Sequence, residues 1–283
     1  MKSSLVLLLA AALLLAACAR AGEATLEATE APPAATAQPT SSPTLQPTIT
    51  PTPEPRESST PQPVYSYETQ PVSFTAQDGL KLAGTLFHSK GDVAVLFVHM
   101  AGNDDDQKDW IPFANQVAQR GFSALTFDMR CHGATECRGG REPGWVTLSW
   151  DMQAAIKLLR DKGYKRIVCV GASMGGRACV TTAFDEELAG LIVISGTASD
   201  DPTKQDLNQM INPGMPKLFA VSENDPNLNR TADMKALFES APEPKSFHLL
   251  PGKAHGTEFF KTQSGSALSA LIYEFLYNIR ESV

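Results

Sequence analysis

From residue 64 onward, apolar positions alternate, run together and recur at helical spacing in a repeating order. Val64 to Phe74 and Leu80 to Phe87 read as strands around an Asp78-Gly79 turn, a known hairpin signal. Val93 to Val98 is a continuous apolar run, as expected of a strand buried on both faces of a parallel sheet. The pattern then alternates: a helix around Asp109 to Arg120, a strand from Ser123 to Met129, and a helix from about Val146 to Lys162. In that last helix Leu148, Met152, Ala155, Ile156 and Leu159 keep one face apolar. Strands follow at Arg166 to Val170, Leu191 to Ser195, Lys217 to Val221 and Lys245 to Leu250, with helices after Met174 and near Arg230 to Ser240. A closing helix carries Leu268, Leu271, Ile272, Phe275, Leu276 and Ile279 at helical spacing. Repeated strand-helix alternation predicts an α/β fold: a doubly wound, mostly parallel sheet of about eight strands with helices on both faces.

The first 63 residues show no such pattern. Lys2 precedes an apolar core from Leu5 to Ala17, which at 13 residues is too short to span a bilayer and reads as a signal segment, residues 1–17. Leu15-Ala16-Ala17-Cys18 resembles a bacterial lipobox, and that resemblance implies cleavage before Cys18 and lipidation of its thiol. Residues 21–64 hold ten of the chain's twenty prolines among Thr, Ser, Ala and Glu, too little apolar surface to offset the entropy of folding. Residues 18–63 are expected to be a disordered tether reaching on the order of 100 Å when largely polyproline II. Residues 64–283 then form one domain, extracytoplasmic and lipid-anchored to a membrane.

The chemistry centres on Gly171-Ala172-Ser173-Met174-Gly175, set between a β-branched run and a helix-compatible segment. A hydroxyl attacks well only when presented bare, and a sharp turn at Ser173 with glycines two residues either side would achieve this. The bare Gly-x-Ser-x-Gly pattern is weak, but in its strand-turn-helix setting it resembles the nucleophile elbow of the α/β-hydrolase superfamily, whose triad runs Ser, then Asp or Glu, then His. The resemblance implies an acid after a later strand. Ser222-Glu223-Asn224-Asp225-Pro226 is similar to the family's Gly-x-x-Asp-Pro and offers Asp225, with Glu223 as the alternative. The base should lie after the last strand, and Pro251-Gly252-Lys253-Ala254-His255-Gly256 offers His255. His248 falls within a strand as a half-buried structural residue, and His88, His99 and His132 precede the serine.

His99-Met100-Ala101-Gly102 resembles the family's His-Gly-x oxyanion loop, which implies a backbone donor at Ala101 or Met100 beside that of Met174. Asp128-Met129-Arg130-Cys131-His132-Gly133 resembles the family's Asp-x-Arg-Gly-His-Gly. Only about twenty residues separate Ser195 from Lys217, too few for a large cap domain, so the resemblance is to small capless carboxylesterases and dienelactone-hydrolase-like enzymes. It implies a serine esterase acting on a small-molecule ester through an acyl-serine intermediate. The alternatives are a serine peptidase of the prolyl-oligopeptidase kind, or an inactive hydrolase-fold lipoprotein acting as a binding scaffold. Asn103 to Asp106 with Arg130, Arg138 and Arg141 is expected to form a solvated rim over the mouth.

Composition trims the alternatives. A net charge of −7 offers no basic footprint for nucleic acid, and an anionic membrane would not attract it, so membrane association rests on the lipid at Cys18. No metal-ligand spacing or cofactor motif is present, so neither metal nor cofactor is expected. Of the five cysteines, Cys131 and Cys137 can close a small disulfide loop beside the site, whereas Cys169 and Cys179 read as packed thiols.

Overall fold

The computed structural model describes residues 64–102, 104–137 and 144–282. The signal segment, Cys18 and the tether, together with Asn103, Arg138 and Arg141, lie outside the described residues.

Eight strands form one sheet: β1 (Glu68–Thr75), β2 (Lys81–His88), β3 (Val93–Val98), β4 (Ser123–Phe127), β5 (Arg166–Ala172), β6 (Gly190–Ile194), β7 (Lys217–Ser222) and β8 (Lys245–Leu250). Their spatial order is β1-β2-β4-β3-β5-β6-β7-β8. β1 pairs antiparallel with β2, β2 antiparallel with β4, and every other pair is parallel. The sequence explains which strands lie where. β3, β4, β6 and β7 are buried at every position and belong inside the sheet, whereas β1 is exposed along most of its length and forms an edge. The first strand starts at Glu68 rather than Val64, and β4 stops at Phe127. Beyond Phe127 the Asp128 N–H bonds to Ala83 O (2.8 Å) as the chain leaves the sheet.

Five helices cover both faces: α1 (Ile111–Gln119), α2 (Trp145–Asp161), α3 (Met174–Thr182), α4 (Arg230–Ser240) and α5 (Ser264–Glu281). The alternation of β3 shows how the faces divide. Ala94, Leu96 and Val98 join Leu148, Met152, Ile156 and Leu159 of α2, Cys179 and Val180 of α3, and Met234 and Leu237 of α4. Val93, Val95 and Phe97 join Phe113 and Val117 of α1 and Leu268, Ile272, Leu276 and Ile279 of α5. Period two in the strand and 3.6 in the helices thus produce two cores with one sheet between them. The β6–β7 connection holds only two single-turn helices, Pro202–Lys204 and Leu207–Gln209, so no cap roofs the sheet's carboxyl edge there. Among the described residues no helix is long and apolar enough to cross a membrane.

Cys131 and Cys137 are joined in a disulfide. So are Cys169 on β5 and Cys179 on α3, which corrects the reading of these two as packed thiols. The residues flank Ser173, and the turn folds α3 back along β5, so two apolar-facing cysteines ten positions apart meet across the packed strand-helix interface.

Candidate active site

β5 ends in a turn that places Ser173 at φ 50°, ψ −112°, a strained conformation for a residue with a Cβ. The Ser173 N–H is held by Ile194 O of β6 at 2.8 Å. Two glycines make the turn possible: a Cβ on Gly171 would lie 2.2 Å from Gly175 O, and one on Gly175 would lie 2.2 Å from Val98 O. The hydroxyl of Ser173 does not cap α3, so it is free of its own helix.

Asp225 follows β7 and His255 follows β8. The Asp225 side chain is 0 % exposed, and both of its oxygens lie 2.9 Å from His255 Nδ1. Burial opposes its ionisation, but hydrogen bonds from His255 and the Asn227 N–H, with the nearby Ser195 hydroxyl, outweigh that cost and hold the carboxyl below its usual range. Ser195 approaches without full hydrogen-bond geometry, since its buried Oγ has no partner that meets it. The alternative acid, Glu223, is exposed, while its N–H bonds to Leu250 O at 2.9 Å. Ser222, which stands where the resemblance expects glycine, donates from Oγ to Ala254 O at 2.8 Å and so ties the acid loop to the base loop.

One contact opposes the sequence expectation. Among the described residues Ser173 makes no hydrogen bond to His255. Instead the Asn227 amide lies 2.9 Å from His255 Nε2. Nδ1 gives its proton to Asp225 and Nε2 carries the lone pair, while the amide nitrogen, also 3.1 Å from Nδ1, lies over the ring and off the in-plane direction of that lone pair. Asn227 is exposed and turns aside without disturbing a core. Asn227→Ala is expected to leave kcat/KM for a simple ester within a few-fold of the wild-type value, because the amide does not sit on the lone pair. A tenfold loss in that assay would make Asn227 a positioning residue for the imidazole.

The candidate oxyanion loop is held by His99, which is fully buried. The Met129 N–H donates to His99 Nε2 at 3.1 Å, so Nδ1 must carry the proton, and it donates to Met100 O at 2.7 Å. With that carbonyl held toward His99, the trans peptide points the Ala101 N–H the opposite way. Ala101, Met174 and Ser173 line one cleft of about 760 Å³. Met100 instead packs its thioether toward the base loop: the Thr257 hydroxyl lies 3.7 Å from Sδ, and a Cβ on Gly256 would lie 2.7 Å from it.

Burial lowers the His99 pKa to about 4, with the Met100 carbonyl opposing and the facing His132 adding to the shift. The unfolded chain takes up this proton near 6.5 and the folded one does not until about 4, so stability falls as pH drops through that window, by about 3 kcal/mol in all. Asp105, Asp109 and Asp151, whose carboxyls burial pushes up, act in the opposite sense. The contrast to measure is thus urea unfolding of wild type against His99→Gln at pH 7 and 4.5. The stability lost between these pH values should be smaller in the variant, and equal losses would remove His99 from the account.

Asp128 and Arg130 brace the site from behind. The Asp128 carboxylate accepts from Gln107 N (2.9 Å), Gln107 Nε2 (3.0 Å) and Ala134 N (2.9 Å), joining the loops after β3 and β4. Arg130, expected on the rim, is 3 % exposed and ion-paired with Asp151 of α2 at 2.6 Å and Asp78 of the β1–β2 turn at 2.9 Å. Asp106, also expected on the rim, is buried and caps the short helix at Gln107–Asp109. Sequence reasoning missed Asp78, Asp151, Ser195, Ser222 and Asn227. Only Ser222 carried a signal, as a departure from the motif.

Comparison with known proteins places the fold. An esterase from Pyrococcus furiosus is 18 % identical with a TM-score of 0.58, over 75 % of this chain and 93 % of that one. A thermophilic esterase from Thermogutta terrifontis is also 18 % identical with a TM-score of 0.58, over 75 % of this chain and 99 % of that one. A predicted hydrolase from Thermoplasma acidophilum is 16 % identical with a TM-score of 0.62, over 75 % of this chain and all of that one. At such identities the likeness is one of fold. No curated protein matches the sequence. The family described as alpha/beta hydrolase domain matches residues 91–282, a span that takes in the elbow, both loops of the acid–base pair and the oxyanion loop, and the chain belongs to the α/β-hydrolase family.

Proposed function

We propose that this hydrolase is a serine esterase that cleaves carboxylic esters through an acyl-serine intermediate. The observation that carries the reading is a serine held at positive φ beside an open cleft, with a histidine nearby whose Nδ1 is fixed on a buried carboxylate. Ser173 Oγ attacks the ester carbonyl, and His255 Nε2 takes the hydroxyl proton as the new C–O bond forms. Asp225 holds the imidazole in the required tautomer and stabilises the imidazolium. The tetrahedral oxyanion accepts hydrogen bonds from the Ala101 and Met174 N–H groups, each donor contributing roughly 3 kcal/mol. His255 then returns the proton to the departing alkoxide. Water, deprotonated by the same imidazole, attacks the acyl carbon and releases the acid, restoring Ser173. The uncapped cleft suits this second half, since water reaches the acyl group freely.

A fluorophosphonate probe applied to the full chain in detergent should label Ser173, as located by peptide mass spectrometry, and p-nitrophenyl butyrate should be hydrolysed by the unlabelled protein alone. Folded protein that neither labels nor turns over would favour the scaffold reading. Cys18 is proposed to carry the lipid that holds the domain to a membrane by its tether. The same labelled protein should sediment with membranes from cells, and Cys18→Ser should release it.

A further inference from the structure

The cleft beside Ser173 contains two arginines in different electrostatic states. Arg177 of α3 is ion-paired with Asp200, so its charge is met within the protein. Arg230, the first residue of α4, lines the same cleft but has no carboxylate partner among the described residues. Its Nη1 donates to the Gly196 carbonyl at 3.0 Å, and its Nε is buried with no hydrogen-bond partner. Of the five N–H donors of a guanidinium, one is therefore used, and on a neutral acceptor. Asp233 on the same wall is exposed and makes no ion pair with Arg230 among the described residues.

The anchoring carbonyl ties the cation to the nucleophile's turn. Gly196 follows β6, and a Cβ on Gly176 of the elbow would lie 3.2 Å from the Gly196 Cα. The guanidinium is thus held by the backbone that packs directly on the elbow. A fixed, unneutralised guanidinium at partial burial favours a bidentate anion over a neutral group.

We propose that Arg230 is a specificity-determining residue and that the ester this site takes bears a carboxylate on its acyl or its alcohol side. The inference rests on the esterase reading for its reaction and on Arg230 for its selectivity.

Two matched pairs test it with the full chain, turnover being followed by proton release. Monomethyl succinate against methyl butyrate places the anion on the acyl side, and acetoxyacetate against propyl acetate places it on the alcohol side. In one of the pairs the wild type should favour the anionic ester by at least tenfold in kcat/KM. Arg230→Gln should lower that ratio at least tenfold, and Arg230→Lys should fall between the two. A merely structural arginine would lower both members of a pair and leave the ratio unchanged. A ratio near one in both pairs, or one within twofold of wild type in Arg230→Gln, overturns the proposal. Calorimetric titration of Ser173→Ala with monomethyl succinate and with methyl butyrate reads the anion site without turnover. Preferred binding of the half-ester that is lost on adding Arg230→Gln upholds the inference even if no ester is cleaved. Failure of fluorophosphonate labelling, by contrast, sinks only the esterase reading.

Discussion

Ser173→Ala is expected to lower kcat/KM for p-nitrophenyl butyrate by about 10⁴- to 10⁶-fold while leaving the melting temperature within a degree or two of wild type. On the proposed mechanism the activity loss is large because the substitution removes the atom that forms the acyl bond, so His255 and Asp225 have nothing to activate. What remains is the cleft and the two backbone donors, which still favour attack by water and set the floor. The fold should be indifferent because the hydroxyl makes no hydrogen bond among the described residues and caps no helix. Alanine also carries the same Cβ into the positive φ, so the strain of the turn is unchanged. A variant that kept a tenth of the wild-type rate would place the nucleophile elsewhere.

Asp151→Ala is expected to cost about 3 to 5 kcal/mol of stability, read by urea or thermal unfolding, with far less effect on the chemistry of any protein that stays folded. The carboxylate is 0 % exposed and accepts from three donors of Arg130: Nη2 at 2.6 Å, Nε shared between both oxygens at 3.0 and 3.1 Å, and the backbone N–H at 3.0 Å. Burial outweighs those bonds and holds the Asp151 carboxyl above its usual range, so the pair is costly to assemble. Removing one member is worse, because it strands a guanidinium that is 3 % exposed with Asp78 as its remaining ion-pair partner and the Trp150 ring 5.8 Å away. The sign of a second substitution follows. Arg130→Met on top of Asp151→Ala should restore part of the loss, since no unpaired charge is then left inside. A double variant less stable than Asp151→Ala alone would mean that the arginine stabilises by packing and not through its partner.

The same residues show how far the sequence can be read. Strands β3 and β7 and helix α2 lie within a residue of where the apolar pattern puts them, because a strand buried on both faces is a continuous apolar run and a one-faced helix leaves its period in the chain. The meeting of Asp225 and His255 was also legible, since chain order after successive parallel strands brings both loops to the sheet's carboxyl edge. The position of Arg130 was not. A charged residue after a strand reads as solvated, and its burial depends on Asp151, twenty-one residues on, and on Asp78, fifty-two residues back. Neither spacing leaves a periodic trace. Asn227 escaped for a similar reason: its amide meets His255 by a side-chain rotation, and no pattern of residue types encodes a rotamer.

The two disulfides join the first described cysteine to the second and the third to the fourth, across separations of six and ten residues. Four cysteines permit three pairings, and only this one links neighbours in chain order. With Cys18 lipidated as proposed, a chain emerging from its amino terminus meets the native partner of each remaining thiol first. Cys131 and Cys137 are both available before Cys169 appears, so an oxidant alone is enough to install the correct bonds. Maturation of this protein is therefore expected to proceed without a disulfide isomerase, and mispaired forms should be scarce even when oxidation is fast.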